Sequence, residues 1–176
     1  MSIEIEILNG DQSWPRAEPL FERVWPQAEM KNLTWGHVRW AHADLRVLIE
    51  APEGTLACHV GIYFRTATWN GQNVHIGGIG GVETDPEHRR RGYASMALGA
   101  SVQTMRDHDA AQFALLFCEP HNFEFYSARG WHPFTGEIYA EQPEGRIRFT
   151  VMAPFVFDLK RQAPRRGTID LCGLPW

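Results

Sequence analysis

The sequence has few cysteines, and their arrangement indicates neither a cross-link nor a metal site. Its 176 residues include three cysteines, Cys58, Cys118 and Cys172, which are widely separated and have neither CxxC nor Cys/His spacing. A disulfide framework or a structural zinc site needs an even or regularly spaced set of ligands. We therefore expect no metal, and a reducing compartment, the cytoplasm.

Long apolar runs and an excess of positive charge are also lacking. No stretch approaches the ~20 apolar residues of a membrane span, and the start, MSIEIEILNG, has no basic segment followed by an apolar run. The net charge is −4, whereas nucleic-acid binders and membrane-surface binders use broad basic faces. We therefore expect no nucleic-acid partner and no membrane partner, although a small cationic partner would be tolerated.

What remains is the composition of an ordinary globular protein. Hydrophobic residues make up 44% of the chain and charged residues 22%, which argues against wholesale disorder. A chain of this length can bury one substantial core without disulfides or metals. We predict one domain over residues 1–176.

Hydrophobic patterning predicts a mixture of strands and helices. The alternation IEIEIL (Ile3 to Leu8) is typical of a strand with one buried face, and FALLFC (Phe113 to Cys118) of a central strand buried on both faces. Helices are predicted from Pro15 to Trp25 and from Trp35 to His42, and Asn70-Gly71 indicates a hairpin turn. The order of elements predicts an α/β or α+β domain with one central sheet.

Positive charge is concentrated in the segment GGVETDPEHRRRGYASMAL, at a junction between a predicted strand and a predicted helix. Arg89, Arg90 and Arg91 directly precede Gly92 there. A glycine lets backbone N–H groups approach a ligand, and a helix N-terminus attracts anions, so a pyrophosphate is the expected guest. The GxGxxG and GxxxxGK[ST] fingerprints are absent at this place. The alternative is a solvated run of charge without function.

The same segment carries a family resemblance. VETDPEHRRRGYA resembles the acetyl-CoA signature of the GNAT N-acetyltransferases, R/Q-x-x-G-x-G/A, which is met by Arg89, Gly92 and Ala94; FYSARGW is also similar, and the resemblance covers roughly residues 45–135. It implies the GNAT fold, a central mixed, mostly antiparallel sheet splayed between strands 4 and 5 and flanked by helices. It also implies acetyl-CoA as cosubstrate. The cofactor-binding residues implied are Val82, Thr84, Arg89, Arg90, Arg91, Gly92, Tyr93 and Ala94.

Acetyl transfer from a thioester to an amine requires a proton for the departing thiolate. Tyr126, in FEFYSARGW, matches the family's tyrosine near the sulfur of coenzyme A. A phenol, with a reference pKa of about 10, can protonate a thiolate as it forms. The resemblance thus implies that Tyr126 is the catalytic acid; the alternative is a core aromatic whose hydroxyl finds a structural partner.

The sequence leaves the catalytic base open. Related enzymes often carry a glutamate on the fourth strand where this chain has Gly80. Glu83 lies nearby, but strand alternation turns it to the other face unless a bulge re-aims it. Glu119, directly after the predicted central strand, is our candidate base; its neighbour His121 and a base acting through water are alternatives.

One subgroup, the aminoglycoside 2′-N-acetyltransferases, resembles the chain further. Trp176 matches its terminal tryptophan, LTWGHV its early helix and FYSARGWHPFTG its tyrosine segment, whereas Thr34 and Leu174 stand near places where the subgroup has aspartates. The missing acids indicate an acceptor of fewer charges, such as an aminoglycoside of the kasugamycin type, and a role in antibiotic resistance. The substrate-binding candidates are Glu29, Trp35, Glu83, His121, Glu144 and Trp176.

Two other functions remain compatible with the sequence. The first is the same chemistry on another metabolite amine or on a protein amino group. The second is a non-catalytic module that binds coenzyme A or a drug. The strand-rich end and the tryptophan tail could also take part in a homodimer.

Overall fold

The structure, a computed structural model, describes residues 2–108 and 111–176 as strands, helices and connecting turns. The helices are α1 (Gly10–Val24), α2 (Gln27–Met30), α3 (Tyr93–Asp107) and α4 (Phe123–Ser127), with short 3₁₀ turns at Pro86–His88 and Pro120–Asn122. The strands are β1 (Glu4–Asn9), β2 (Leu45–Glu50), β3 (Leu56–Trp69), β4 (Gln72–Thr84), β5 (Phe113–Cys118), β6 (His132–Pro133), β7 (Thr135–Gln142), β8 (Gly145–Arg148), β9 (Ala153–Asp158) and β10 (Arg166–Asp170). None of the described helices is long and apolar enough to cross a membrane.

The described residues form two compact units, which we treat separately. The first comprises the chain up to His37, His42–Tyr63 and Ile79–Thr104; the second comprises Val38–Ala41, Phe64–Gly78 and Met105–Trp176. Strands β3 and β4 contribute residues to both units. The expectation of one domain over the whole chain stays a prediction.

In the first unit β1, β2 and the beginning of β3 pair in antiparallel order. The apolar side chains of β2 and β3 are fully buried there, as at Val47, Ile49 and Val60. Strand β1 lies at the edge of this array, and its isoleucines Ile5 and Ile7, with Ile3 just before it, are 41–45% exposed. The predicted strand is therefore present, but the prediction that its apolar face is buried is wrong, because the packing that buries Val47 and Ile49 on the same face of β2 does not extend to this edge strand.

Helix α1 begins earlier than predicted. The Asn9 side chain accepts a hydrogen bond from the Gln12 N–H (3.1 Å) and caps the helix, which then contains two prolines rather than starting at one. The helix predicted from Trp35 to His42 does not form. Residues 38–43 have no regular structure, and Ala41 N–H instead donates to the carbonyl of Pro175 (2.7 Å).

The second unit is built on a mixed sheet. The strand order is β6-β9-β5-β4-β3-β10-β7-β8, in which β7 and β10 run parallel while β5–β9 and β7–β8 are antiparallel. Strand β5 is the predicted central strand, since its residues Phe113 to Leu116 are buried. Both the mixed α/β class and the mixed, mostly antiparallel sheet are confirmed.

Candidate functional site

The arginine–glycine junction forms an open turn ahead of α3, as the sequence predicts. Arg90 and Gly92 both have left-handed backbones, with φ of +63° and +83°. Helix α3 starts at Tyr93, so the N–H groups of Tyr93 and Ala94 precede that of Met96, which donates to the carbonyl of Gly92 (3.1 Å). A Cβ placed on Gly92 would meet no protein atom within 4 Å. We call residues 89–94 the anion turn, because free amides, arginines and open space coincide there.

A polar network holds the residues just before the anion turn. The Asp85 carboxylate accepts hydrogen bonds from Glu87 N–H (2.9 Å) and from Arg23 Nε on α1 (2.8 Å). Burial alone would raise the pKa of Asp85, but these hydrogen bonds hold it below its ordinary value. The buried His88 contacts Glu53 through Nε2. The 3₁₀ turn before the anion turn is thereby tied to α1 and to the β2–β3 turn.

Strand β4 contains a bulge two residues before Glu83. Trp69 and Gln72 flank the Asn70–Gly71 turn, and at the other end of the strand pair Asp85 N–H donates to the carbonyl of Ala57 (2.8 Å). Residues 57–69 number 13 and residues 72–85 number 14, so the β4 side has one extra residue. Gly81 is left-handed (φ +57°), as the first residue of a glycine bulge is. The bulge that could re-aim the Glu83 side chain to the other face of β4 is therefore present.

A buried arginine and histidine support this bulge. Arg46 on β2 donates to His59 Nε2 (2.9 Å) and to the carbonyl of Gly10 (2.9 Å). An arginine can only donate, so Nε2 accepts, the ring proton lies on Nδ1, and Nδ1–H donates to the carbonyl of Gly81 (2.7 Å). Burial lowers the pKa of His59 to about 3. The imidazole is therefore neutral at physiological pH.

Glu83 is a buried acid near this pair. It is 4% exposed, and neither of its carboxyl oxygens has a hydrogen-bond partner among the described residues. Burial raises its pKa to about 9, although the positive charges of Arg46 and Arg23 act in the opposite direction. Glu83 therefore carries a proton at neutral pH, and its candidate role in substrate binding stays a prediction.

The other sequence candidates of the first unit, Trp35 and Glu29, differ in exposure. The Trp35 ring is 7% exposed and packs edge-on against Trp25 at 5.3 Å between centroids, so it offers little surface to a sugar ring. Glu29 is exposed on α2. Phe21 contacts Trp14, Trp25 and the His59 ring, and these side chains form one aromatic cluster.

The predicted acid and base belong to the second unit. Tyr126 lies on α4, is 6% exposed and packs against Trp131 at 6.3 Å between centroids. Glu119 is half-buried between β5 and the following 3₁₀ turn, in which His121 is exposed. Glu144 is exposed in the turn between β7 and β8.

Trp176 is part of the core of the second unit. Its indole Nε1 donates to the carbonyl of Leu115 on β5 (3.0 Å), and its ring lies against Gly78, where an added Cβ would come within 2.3 Å of it. The Arg65 guanidinium lies 5.1 Å from the ring centroid. The indole therefore presents no face to a ligand, and a substrate role for its carboxylate stays a prediction.

The second unit also contains a cavity of about 350 Å³. Pro120, directly after Glu119, lines it, and Arg148 contributes the charged group among its described lining residues. The volume lies within the range of small-molecule sites. Its apolar wall includes Phe123, Ile138, Phe149, Val151 and Met152.

Sequence reasoning missed the Arg46–His59 pair. A signal did exist, since LRVLI and LACHVGIYF each place one basic side chain within an otherwise apolar segment. Such a residue has to find a partner when it is buried. The partner could not be named from the sequence, because the register of β2 on β3 brings Arg46 and His59 together.

Comparison with known proteins gives a family match. A family model described as an acetyltransferase (GNAT) domain matches residues 8–134. No curated protein sequence matches the chain.

Solved structures match at low sequence identity. The acetyltransferase YhbS from Escherichia coli, solved in complex with CoA, is 14% identical, with 97% of this chain and 89% of that chain covered and a TM-score of 0.58. NAA60 from Arabidopsis thaliana, in complex with a bisubstrate analogue, is 12% identical (92% and 100% covered, TM-score 0.61). The ribosomal-protein-S18-alanine N-acetyltransferase from Escherichia coli is 15% identical (92% and 97%, TM-score 0.57). At these identities the structural matches establish a common fold.

Proposed function

This chain belongs to the GNAT acetyltransferase family, and on that premise we propose that it transfers the acetyl group of acetyl-CoA to an amine of a small molecule. The anion turn is the observation that carries the proposal. Gly92 leaves open space beside the amides of Tyr93 and Ala94 at the start of α3, and three arginines directly precede it. A doubly charged diphosphate fits this arrangement better than any neutral group does. The CoA bound to YhbS supports the same assignment.

The reaction we propose is direct attack of the amine on the thioester. Main-chain amides of β4 at Val82 and Thr84 hold the pantetheine arm and the carbonyl oxygen as it becomes negative. The new C–N bond forms, the C–S bond breaks, and the thiolate takes the phenolic proton of Tyr126. Glu119, directly or through water, accepts the proton that the amine loses.

The cavity of the second unit, which Pro120 helps to line, supports a small-molecule acceptor. Its described lining residues include Arg148 and no acid, which disfavours a polycation. The narrower proposal, which rests on the resemblance of LTWGHV and FYSARGWHPFTG, is an aminoglycoside with few charges, of the kasugamycin type, acetylated at its 2′-amine with resistance as the consequence. The exposed carboxylate of Glu144, in the same unit, would add charge complementarity. Glu29, in the first unit, remains a separate candidate for substrate binding. Cytoplasmic location belongs to the same proposal.

Thiol release from acetyl-CoA, measured across kasugamycin, typical aminoglycosides, polyamines and peptides with free N-termini, tests the function. We expect release with an acceptor of few charges. Preference for a protein N-terminus would move the assignment to the alternative acceptor class. Absence of release with every acceptor, together with retained CoA binding, would favour a binding module.

Replacing the proposed acid gives the sharper test. Tyr126→Phe should lower kcat by about ten-fold or more while the Kd for acetyl-CoA stays nearly constant, because the lost proton acts in the transition state. Phe125→Leu, at the half-buried neighbouring position on α4, serves as the control for local packing. Equal kcat values for Tyr126→Phe and the wild type would remove Tyr126 from the mechanism.

A further inference from the structure

The carbonyl of Gly81 makes a contact that a regular strand does not provide. In β4 it accepts from the side chain of His59, at 2.7 Å, at the residue where the strand turns left-handed. A Cβ at Gly81 would meet both His59 and Phe21 at 3.2 Å, so the bulge is enclosed on the side of α1. The His59 imidazole thus replaces the strand hydrogen bond that the Gly81 carbonyl does not make at the bulge.

His59 is itself fixed from behind. It is fully buried, and Arg46, 5% exposed, donates to its Nε2. The Arg46 guanidinium is fixed in turn by the carbonyl of Gly10 and by the Trp14 ring, whose centroid is 4.9 Å away. Because a guanidinium has no acceptor, this contact selects the tautomer in which Nδ1 carries the proton and can donate to Gly81.

We propose that His59 is a positioning residue for acetyl transfer: by donating Nδ1–H to the Gly81 carbonyl it fixes the bulge and thereby aims the amides that follow it in β4. This inference rests on the proposed function, in which Val82 and Thr84 hold the acyl-pantetheine. A displacement of about 1 Å in such a group can cost on the order of 100-fold in rate. The anion turn lies farther along the chain and has its own supports at Arg23 and Glu53.

Two amide substitutions separate the two hydrogen bonds of His59, the one to the Gly81 carbonyl and the one from Arg46. The side-chain nitrogen of His59→Asn stands where Nδ1 stands and can donate to Gly81, whereas the amide of His59→Gln reaches the place of Nε2 and can accept from Arg46 only. His59→Leu provides neither group. Each variant is compared for kcat, KM for acetyl-CoA and melting temperature.

We expect His59→Asn to retain kcat within about three-fold, and His59→Gln to lower it by about ten-fold or more with a smaller change in KM. If His59→Leu fails to fold, the comparison of His59→Asn with His59→Gln still tests the proposal. Retained kcat in His59→Gln, or kcat that follows melting temperature through the series, would overturn the proposal.

Crystal structures of the two amide variants give a readout that needs no acceptor substrate. Gly81 should keep its positive φ in His59→Asn and lose it in His59→Gln. A positive φ at Gly81 in the His59→Gln structure would overturn the proposal, whatever the activity of that variant. Absence of thiol release by the wild type would instead count against the proposed function, while this geometric comparison would still decide the role of His59.

Discussion

Gly92 leaves the anion turn open because it has no side chain. Its backbone is left-handed and the space beside it is open. Gly71, in the β3–β4 turn, has the same two properties with φ of +79°. The two glycines therefore impose a similar backbone strain when substituted, and differ in what surrounds them.

Gly92→Asp should raise the Kd for acetyl-CoA by about ten-fold or more, because a carboxylate would occupy the place of the diphosphate and repel it. Isothermal titration calorimetry measures the change. Gly71→Asp is the matched control and should bind acetyl-CoA like the wild type. Equal affinities in all three proteins would show that coenzyme A does not use this turn.

Features formed by residues that are contiguous in the sequence could be predicted, whereas contacts between residues on different strands could not. The arginines, Gly92 and the following helix are contiguous, so the sequence was enough to predict an open turn before a helix there, while anion binding by this turn stays a prediction. His59 and Gly81 meet across strands, and nothing in either segment alone indicates that contact. The burial of Trp176 against Gly78 was missed because the two residues are far apart in the sequence and meet only in the fold.

At the scale of elements, α1 supports the anion turn through one arginine. Arg23 Nε bonds the Asp85 carboxylate and its Nη2 bonds the carbonyl of Leu56 (3.2 Å). Asp85 is buried, whereas the Arg23 side chain is 43% exposed. Loss of Arg23 would leave a buried carboxylate with fewer donors and a less constrained 3₁₀ turn.

Arg23→Gln should raise KM for acetyl-CoA by roughly three- to ten-fold with little change in kcat, since it loosens the diphosphate site and leaves β4 intact. Steady-state kinetics at saturating acceptor measures both constants. Arg16→Gln is the control, because Arg16 lies on the same helix and pairs with Glu6 and Glu50 instead. Equal effects of the two substitutions would indicate a general destabilisation of α1.

Elements with a strong local signal were predicted with nearly their observed bounds. FALLFC coincides with β5, and the Asn70-Gly71 turn joins β3 to β4. The early helix was misplaced because the cap at Asn9 is a stronger start signal than Pro15. The exposure of Ile3, Ile5 and Ile7 could not be foreseen, since alternation gives the period of a strand and not its place in a sheet.

At the scale of the whole molecule, Glu83 couples folding to pH. Burial raises its pKa to about 9 from an ordinary 4.5, so between these values the folded chain keeps a proton that the unfolded chain has released. The stability that this group contributes is present below pH 4.5 and is lost as pH rises towards 9. Burial lowers the pKa of His59 from 6.5 to about 3, which gives the opposite slope, confined to pH below 6.5.

Glu83→Gln should therefore flatten the pH dependence of stability above neutrality. Between about pH 7 and about pH 8.5 the wild type should lose up to about 1.4 kcal/mol per pH unit relative to the variant. Chemical denaturation at several pH values gives the difference in free energy of unfolding. Parallel curves for the two proteins would show that Glu83 is not protonated in the fold.

The position of bound coenzyme A tests the central claim most directly. A crystal structure with coenzyme A should place the diphosphate against the backbone amides of residues 92–94, with the arginines of the anion turn around it. A diphosphate bound elsewhere on the chain, with the anion turn empty, would contradict the account.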